Sequence, residues 1–310
     1  MKNIDKSILY MMVGLPGSGK TQQAHMLAKE INAEVLTISE IRKELSQENP
    51  NIAETEVFAT MNVRAKAIIA DNCNVVIDST NIKSFNRSKF LSHIQKEIPC
   101  KAICVVMATP YEICLKNNAN RINSDYIKGL YFNWETPAYW EGWDEIWLNY
   151  EHLEWASING NCFDFICNYK MHDLGDKAKP NYLGTHCVDV YHYLEDEVTN
   201  SDISYQRKAS LLTAAMIHDC GKLATKSMVN GKVVYYHHSN VGAYESLFFG
   251  PVYKDVDKIY ISNLINYHMH FYDGRDKRQM YYRKWGREFY EDIRTLYEAD
   301  IAVKKGVAHV

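Results

Sequence analysis

The sequence predicts a parallel α/β domain followed by an all-α bundle. Three observations carry that expectation. Over the first half, short apolar runs of strand character alternate with helical stretches, the pattern of a sheet covered on both faces. A glycine-rich GxxxxGKT stretch stands between one such run and a helix. From His186 onward the strand signal nearly vanishes and helical periodicity takes over.

Taken in order, Ile8 to Val13 reads as a strand, Thr21 to Ile31 as a helix and Glu34 to Ile38 as a second strand. Val75 to Ile77 gives a third and, after a helix, Ala102 to Met107 a fourth. A tryptophan-rich segment from Trp134 to Trp155 is expected to close this domain, 1–156. Ser157 to Tyr182 is richer in Asn, Gly, Asp and Lys and ends in Lys179-Pro180-Asn181, so 157–182 reads as a linker. The remainder, 183–310, is expected to be helical, interrupted at Gly231 and at Gly250-Pro251. A short hairpin fits Lys226 to Tyr236, centred on Asn230-Gly231.

Bulk properties narrow the function classes. A chain of 310 residues exceeds what one core usually serves, which agrees with two domains. The net charge of −3 excludes a generally basic nucleic-acid coat and leaves room only for short contacts, such as a strand terminus in a local groove. Eight cysteines at irregular spacing, with no CxxC pair, read as reduced and mostly buried thiols of a cytoplasmic protein. Met1 to Lys6 lead straight into a strand, which is read as leaving no room for a secretory leader, and no apolar run is long enough to span a bilayer. No membrane partner is expected.

Gly14-Leu15-Pro16-Gly17-Ser18-Gly19-Lys20-Thr21 is a phosphate-binding loop in the context that such a loop needs. Its glycines let backbone N–H groups turn toward a phosphate, and the helix start adds the positive end of its dipole. Lys20 should bridge the outer phosphates and Thr21 should ligate Mg²⁺. Asp78, after the third strand, fits a metal carboxylate, a helix N-cap or a contact to the acceptor.

These stretches resemble the polynucleotide kinase branch of P-loop proteins. The resemblance rests on the loop, on Ile41-Arg42 after the second strand, on Asp78-Ser79-Thr80-Asn81 after the third, and on Arg121 in the place of a lid arginine. It implies ATP as donor and a role for Lys20 and Arg121 in stabilising charge on the moving phosphoryl group. Arg42 falls at the arginine of the family's Asp-x-x-Arg. Where the family has the aspartate that accepts the proton of the attacking 5′-hydroxyl, this chain reads Ser39-Glu40-Ile41-Arg42. Serine cannot act as that base at neutral pH, so Glu40 is expected to take over, or the 5′-kinase activity to be weak or altered. Arg87 reads as either a further site arginine or a solvated surface residue.

In the second half, Leu211 to Ile217 is an apolar helical run that ends in His218-Asp219-Cys220-Gly221-Lys222. Two adjacent metal-binding side chains after a core-facing helix are costly to bury unless paired, and a cation pairs them both. Helical phase adds His186, beside Val190 and Tyr193; His238, one turn before Gly242; His268, on the face of Ile261, Leu264 and Ile265; and Asp300, on the face of Leu296, Tyr297 and Val303. His172-Asp173 repeats the dipeptide in a polar stretch and is set aside, as are His192, His237, His270 and His309.

The order H…HD…H…H…D resembles the HD phosphohydrolase superfamily, in its form with extra histidines that can hold two metals. The resemblance implies an all-α HD domain, an Asp219 that bridges two cations, and a Lys222 that contacts substrate phosphate. It implies one or two divalent ions (Mn²⁺, Ni²⁺, Co²⁺, Fe²⁺ or Zn²⁺) and phosphoester hydrolysis.

Joined, the two resemblances suggest a bifunctional end-healing enzyme. It would phosphorylate a 5′-hydroxyl and remove a 2′,3′-cyclic or terminal phosphate from nucleic-acid ends, RNA in preference to DNA. No Lys-x-Asp-Gly and no Asp-x-Asp-Gly-Thr occurs, so sealing calls for a separate ligase and no aspartyl-phosphate phosphatase is expected. The alternative is a hydrolase of free nucleotides whose P-loop domain phosphorylates a small molecule or binds ATP only to regulate.

Overall fold

The computed structural model describes residues 7–175, 182–250, 252–254, 256–274 and 277–306. Met1 to Lys6, the expected boundary at Lys179-Pro180-Asn181, the interruption at Pro251 and His309 lie outside the described residues. The chain forms two compact units, Met1–Leu130 with Pro137–Glu151, and Tyr131–Thr136 with His152–Val310.

The first unit is built on five strands: β1 (Ile8–Val13), β2 (Ala33–Thr37), β3 (Asn74–Asp78), β4 (Lys101–Met107) and β5 (Glu145–Asn149). They are all parallel, in the order β2-β3-β1-β4-β5. Helices α1 (Lys20–Ile31), α2 (Ile38–Glu48), α3 (Glu54–Ala70), α4 (Ser84–Gln95), α5 (Tyr111–Asn117) and α6 (Ser124–Phe132) connect or follow them. One face of the sheet, with Tyr10, Met12, Val76, Ile103 and Val105, packs on Ala24, Leu27 and Ala28 of α1. The alternate residues Leu9, Met11, Val13, Val75, Ile77, Cys104 and Val106 are buried on the other face. Burial on both faces explains why these strands read as continuous apolar runs. The carboxyl ends of β1 and β3 lie side by side, and there such sheets bind ligands.

Arg87 is neither a site arginine nor a solvated one. It is fully buried on α4, its Nε and Nη2 donating to the Glu141 carboxylate at 2.7 and 2.6 Å and its Nη1 to the Asn81 carbonyl at 2.8 Å. A planar guanidinium opposite a carboxylate is the pairing that makes such burial tolerable.

The tryptophan-rich segment is divided between the units rather than closing the first. Only Glu145–Asn149 joins the sheet, at its edge. Trp134 belongs to the second unit, where its indole N–H donates to Thr136 Oγ1 at 2.9 Å, its carbonyl accepts from Asn240, and its ring meets Tyr244 edge-on at 4.9 Å. The stretch expected as a linker carries α7 (Cys162–Asn168), with a reciprocal cap between Asn161 and Asp164 and with Cys162, Phe165 and Ile166 buried.

The second unit continues with α8 (Leu183–Thr199), α9 (Tyr205–Ile217), α10 (Lys222–Thr225), α11 (His238–Ser246), α12 (Lys258–Tyr267), α13 (Arg278–Trp285) and α14 (Arg287–Lys304). Ser204 caps α9 and Asp257 caps α12 through backbone N–H groups. Cys187, Val190, Leu194, Leu211, Ala214, Val241, Leu264, Ile265, Ile293 and Leu296 fill its core. The hairpin pairs β6 (Ser227–Val229) with β7 (Lys232–Val234), and Asn230 and Gly231 at its turn have φ of +50° and +73°. Two positive φ angles in a row are what a type I′ turn requires. All eight cysteines are free; Cys73 and Cys167 are exposed and the others buried. No helix among the described residues is long and apolar enough to cross a membrane.

Candidate active sites

At the phosphate loop, Gly17 and Gly19 adopt φ near +80°, which side chains resist, and a Cβ on Gly17 would lie 2.2 Å from Asn118 Nδ2 and 2.6 Å from the Cys114 carbonyl. Gly14 is less tightly constrained, since a Cβ there would lie 2.7 Å from Ser18 Oγ and 3.3 Å from the Met107 carbonyl. Buried Ser18 is locked by Thr109, whose hydroxyl donates to the Ser18 carbonyl. Lys20, the first residue of α1, curls back so that Nζ donates to the Leu15 carbonyl at 2.6 Å. Burial lowers its pKa to about 8, partly offset by Asp78. An incoming phosphate restores a counter-charge to this ammonium.

Thr21 Oγ1 donates to Asp78 Oδ2 at 2.7 Å, which joins the loop hydroxyl to the carboxylate at the end of β3. That pair has the donor chemistry of a Mg²⁺ site. The cleft around them encloses about 840 Å³ and is lined also by Ser39, Arg42, Glu54 and Arg121. Arg121, in the exposed connection between α5 and α6, also lines this cleft.

Glu40 is not brought to the cleft. Helix α2 begins at Ile38, and neighbouring helical residues point about 100° apart, so Ser39 faces the cleft while Glu40 is exposed elsewhere. The carboxylate present instead is Glu54, the first residue of α3, held by Arg42 Nε and Nη2 at 2.7 and 2.9 Å. Hydrogen bonding to Arg42 lowers its pKa. Sequence reading missed Glu54, for it lies beyond the Asn-Pro-Asn turn in no motif.

In the second unit, His186, His218, Asp219, His238, His268 and Asp300 converge into two buried trios. His186, His218 and Asp300 form one, Asp219, His238 and His268 the other, the ligand atoms of each within 4.8 Å of one another. The Asp219 carboxylate faces both. Its Oδ2 lies 3.6 Å from His186 Nε2 and 3.4 Å from His218 Nε2, and its Oδ1 lies 3.4 Å from His238 Nε2 and 3.7 Å from His268 Nε2.

The histidines are oriented as ligands. His218, His238 and His268 each direct Nδ1 to the carbonyl three residues earlier, of Ala215, Tyr235 and Ile265, at 2.9, 2.8 and 2.7 Å. A proton held on Nδ1 would leave Nε2 to face inward, where His238 Nε2 and His268 Nε2 stand 3.2 Å apart. Burial lowers the pKa of His186 and His238, and with the neighbouring His238 and His218 it pushes His268 down to about 3. Burial works against a charged Asp219, yet Lys222 and His218 hold its carboxyl well below the usual range. Three buried atoms, His186 Nε2, His218 Nε2 and Asp300 Oδ1, have no hydrogen-bond partner, although His186 Nε2 and Asp300 Oδ1 are only 3.0 Å apart. Lone pairs crowded at such distances fit divalent cations with N and O ligands.

The surrounding residues explain the rest of the motif. A Cβ on Gly221 would stand 2.0 Å from the His238 carbonyl and 2.5 Å from the Gly242 amide, so only glycine lets α11 bring His238 beside Asp219. His237 enters α11 with φ of +66°, an unusual backbone for a residue other than glycine, immediately before His238. Lys222 Nζ lies 2.5 Å from Asp219 Oδ2 and over the Tyr235 ring. Asp300 Oδ2 accepts from Tyr272 Oη and, at 2.8 Å, from Lys304 Nζ. Tyr272 and Lys304 escaped the sequence reading; Lys304 lies one turn after Asp300, a spacing that could have suggested it. His172, His192 and His270 stand outside both trios.

Among protein-family models, one described as an AAA domain matches residues 9–128, less than half of the chain. No curated protein matches. Among solved structures, a proposed kinase from Chloroflexus aurantiacus is similar at 10% identity, TM-score 0.41, over 47% of this chain and 86% of its own. Kti12 of Chaetomium thermophilum, in complex with ADP-AlF3, is similar at 18% identity, TM-score 0.40, over 46% and 89%. A gluconokinase from Sinorhizobium meliloti is similar at 12% identity, TM-score 0.33, over 48% and 84%. The loop geometry, the sheet order and the family match make the first unit a P-loop α/β domain, with Thr21 and Asp78 paired beside the loop. The second unit is helical.

Proposed function

We propose that the chain carries two phosphate-ester activities, an ATP-dependent kinase in the first unit and a divalent-metal phosphohydrolase of the HD type in the second, directed at the two ends of a broken nucleic-acid strand. The observation that carries the hydrolase is the Asp219 carboxylate, one oxygen toward each buried trio. A structural core has no use for four imidazole Nε2 atoms gathered around one carboxylate.

In the kinase half, the loop amides and Lys20 hold the β- and γ-phosphates, and Thr21 with Asp78 would hold Mg²⁺. The acceptor hydroxyl oxygen bonds to the γ-phosphorus, the bond to the β–γ bridging oxygen breaks, and ADP leaves. Arg121 meets the charge on the transferring group. The hydroxyl proton goes to Glu54, a weak base because of Arg42, which suits a reaction governed by positioning.

In the hydrolase half, His186, His218 and Asp300 would hold one cation and Asp219, His238 and His268 the other. Bound divalent cations would supply activated water and neutralise phosphate charge. Lys222, beside Asp219 and with its side chain 12% exposed, would offer its ammonium to a substrate phosphate oxygen. Tyr272 and Lys304 keep Asp300 turned toward His186.

The test is one incubation of purified protein with ATP, Mg²⁺ or Mn²⁺ and an RNA bearing a 5′-hydroxyl and a 2′,3′-cyclic phosphate, with each end followed separately. Gain of a 5′-phosphate and opening or loss of the cyclic phosphate are expected. An RNA unchanged at both ends, while free nucleotides are hydrolysed or small alcohols phosphorylated, refutes the end-directed reading.

A further inference from the structure

Beside the phosphate cleft of the first unit runs a second cavity of about 510 Å³, between the exposed faces of α3 and α4. It is continuous with the cleft, for Glu54 and Phe58 line both. Its lining includes Phe58 on α3 and nearly buried Phe90 on α4. Asn62 lies among them, its Nδ2 donating to the Phe58 carbonyl at 2.9 Å and its buried Oδ1 left without a partner. Lys89 and His93, one turn apart on α4, are exposed at the rim.

Each feature has a counterpart in one kind of ligand. The Phe58 ring offers a stacking surface, an unpartnered amide oxygen beside it calls for an N–H donor such as an exocyclic amine, and the Lys89 ammonium with the His93 imidazole at the mouth suits a phosphodiester leading away. The volume falls within the range of small-molecule pockets, about 300–1,000 Å³. We infer that this groove binds the base of the acceptor's terminal nucleoside, placing its 5′-hydroxyl at the cleft and its 3′-phosphate toward Lys89 and His93. The inference rests on the end-kinase reading and adds that the kinase grips the first base.

The experiment uses the full chain with Mg²⁺ and a non-hydrolysable ATP analogue. It measures binding of a 3′-labelled 5′-hydroxyl oligoribonucleotide and of the same strand with an abasic first residue. For the wild type, loss of the base should weaken binding roughly 5- to 150-fold, the range for one stacked base. Phe58→Leu and Asn62→Ala should erase most of that difference, whereas Lys89→Glu should weaken both strands alike. Unaltered ATP-analogue binding in each variant certifies its fold.

A wild type that binds both strands equally overturns the inference; if, in a parallel incubation with ATP in place of the analogue, it still phosphorylates both, the end-kinase reading survives without the pocket. If neither strand binds nor is phosphorylated, both fall together.

Discussion

Loss of one side chain from each trio should cost one cation, whereas loss of Asp219 should cost both. The perturbations are His186→Ala, His268→Ala and Asp219→Asn, the last preserving shape while removing the charge that faces all four imidazoles. Metal bound per chain, measured by elemental analysis after loading with Mn²⁺ and desalting, should fall to roughly half in each histidine variant and close to none in Asp219→Asn. Stability should follow. A cation present at a hundredfold its Kd stabilises by about 2.7 kcal/mol, and for a unit of this size each kcal/mol moves Tm by about 2–4 °C. Chelation should thus lower the wild-type transition by about 5–11 °C for each cation lost. In chelator, Asp219→Asn should be weaker than wild type by about 3–5 kcal/mol, because Lys222 Nζ, 2.5 Å from the carboxylate, is left without its counter-charge. Asp219→Asn protein that retains the wild-type metal content would refute the shared-carboxylate reasoning.

Other consequences can be measured independently. Because burial lowers the Lys20 pKa to about 8, its ammonium is lost as pH rises through that value, so ATP affinity measured by calorimetry should fall between pH 7 and 9.5; an unchanged Kd contradicts this. Tyr272→Phe should weaken metal binding by about 10- to 100-fold, since an outer partner of a ligand is removed, and an unaltered titration would deny Tyr272 that role. Arg87→Met should destabilise the first unit by about 3–5 kcal/mol in urea, the cost of leaving the Glu141 carboxylate buried without its cation. Adding Glu141→Leu should recover much of that loss, and failure to recover it would point to packing rather than charge.

Much of both sites was legible because each is encoded in a contiguous motif. The glycines of the phosphate loop and Gly221 of the His-Asp stretch answer to backbone conformation and close approach, which a sequence displays directly. Helical phase selected His186, His238, His268 and Asp300, because an inward polar residue on an apolar face is conspicuous. Phase also explains the misreading at Glu40: the start of α2 at Ile38 could not be fixed to the residue, and one position rotates a side chain away from the cleft. Strand β5 went unread because it is an edge strand with only partly covered residues, so Glu145-Ile146-Trp147-Leu148-Asn149 carries no buried run. The allocation of Trp134 to the second unit depends on Asn240 and Tyr244, far along the chain, and no local pattern announces such a contact. Glu54 and Tyr272 are likewise placed by tertiary packing alone.

The independence of the two sites is measured most directly by Lys20→Ala and Asp219→Asn together, on an RNA with a 5′-hydroxyl and a 2′,3′-cyclic phosphate. Lys20→Ala should lose 5′ phosphorylation and keep 3′ processing; Asp219→Asn should do the reverse. Abolition of both activities by either substitution, in protein that remains folded, would contradict it.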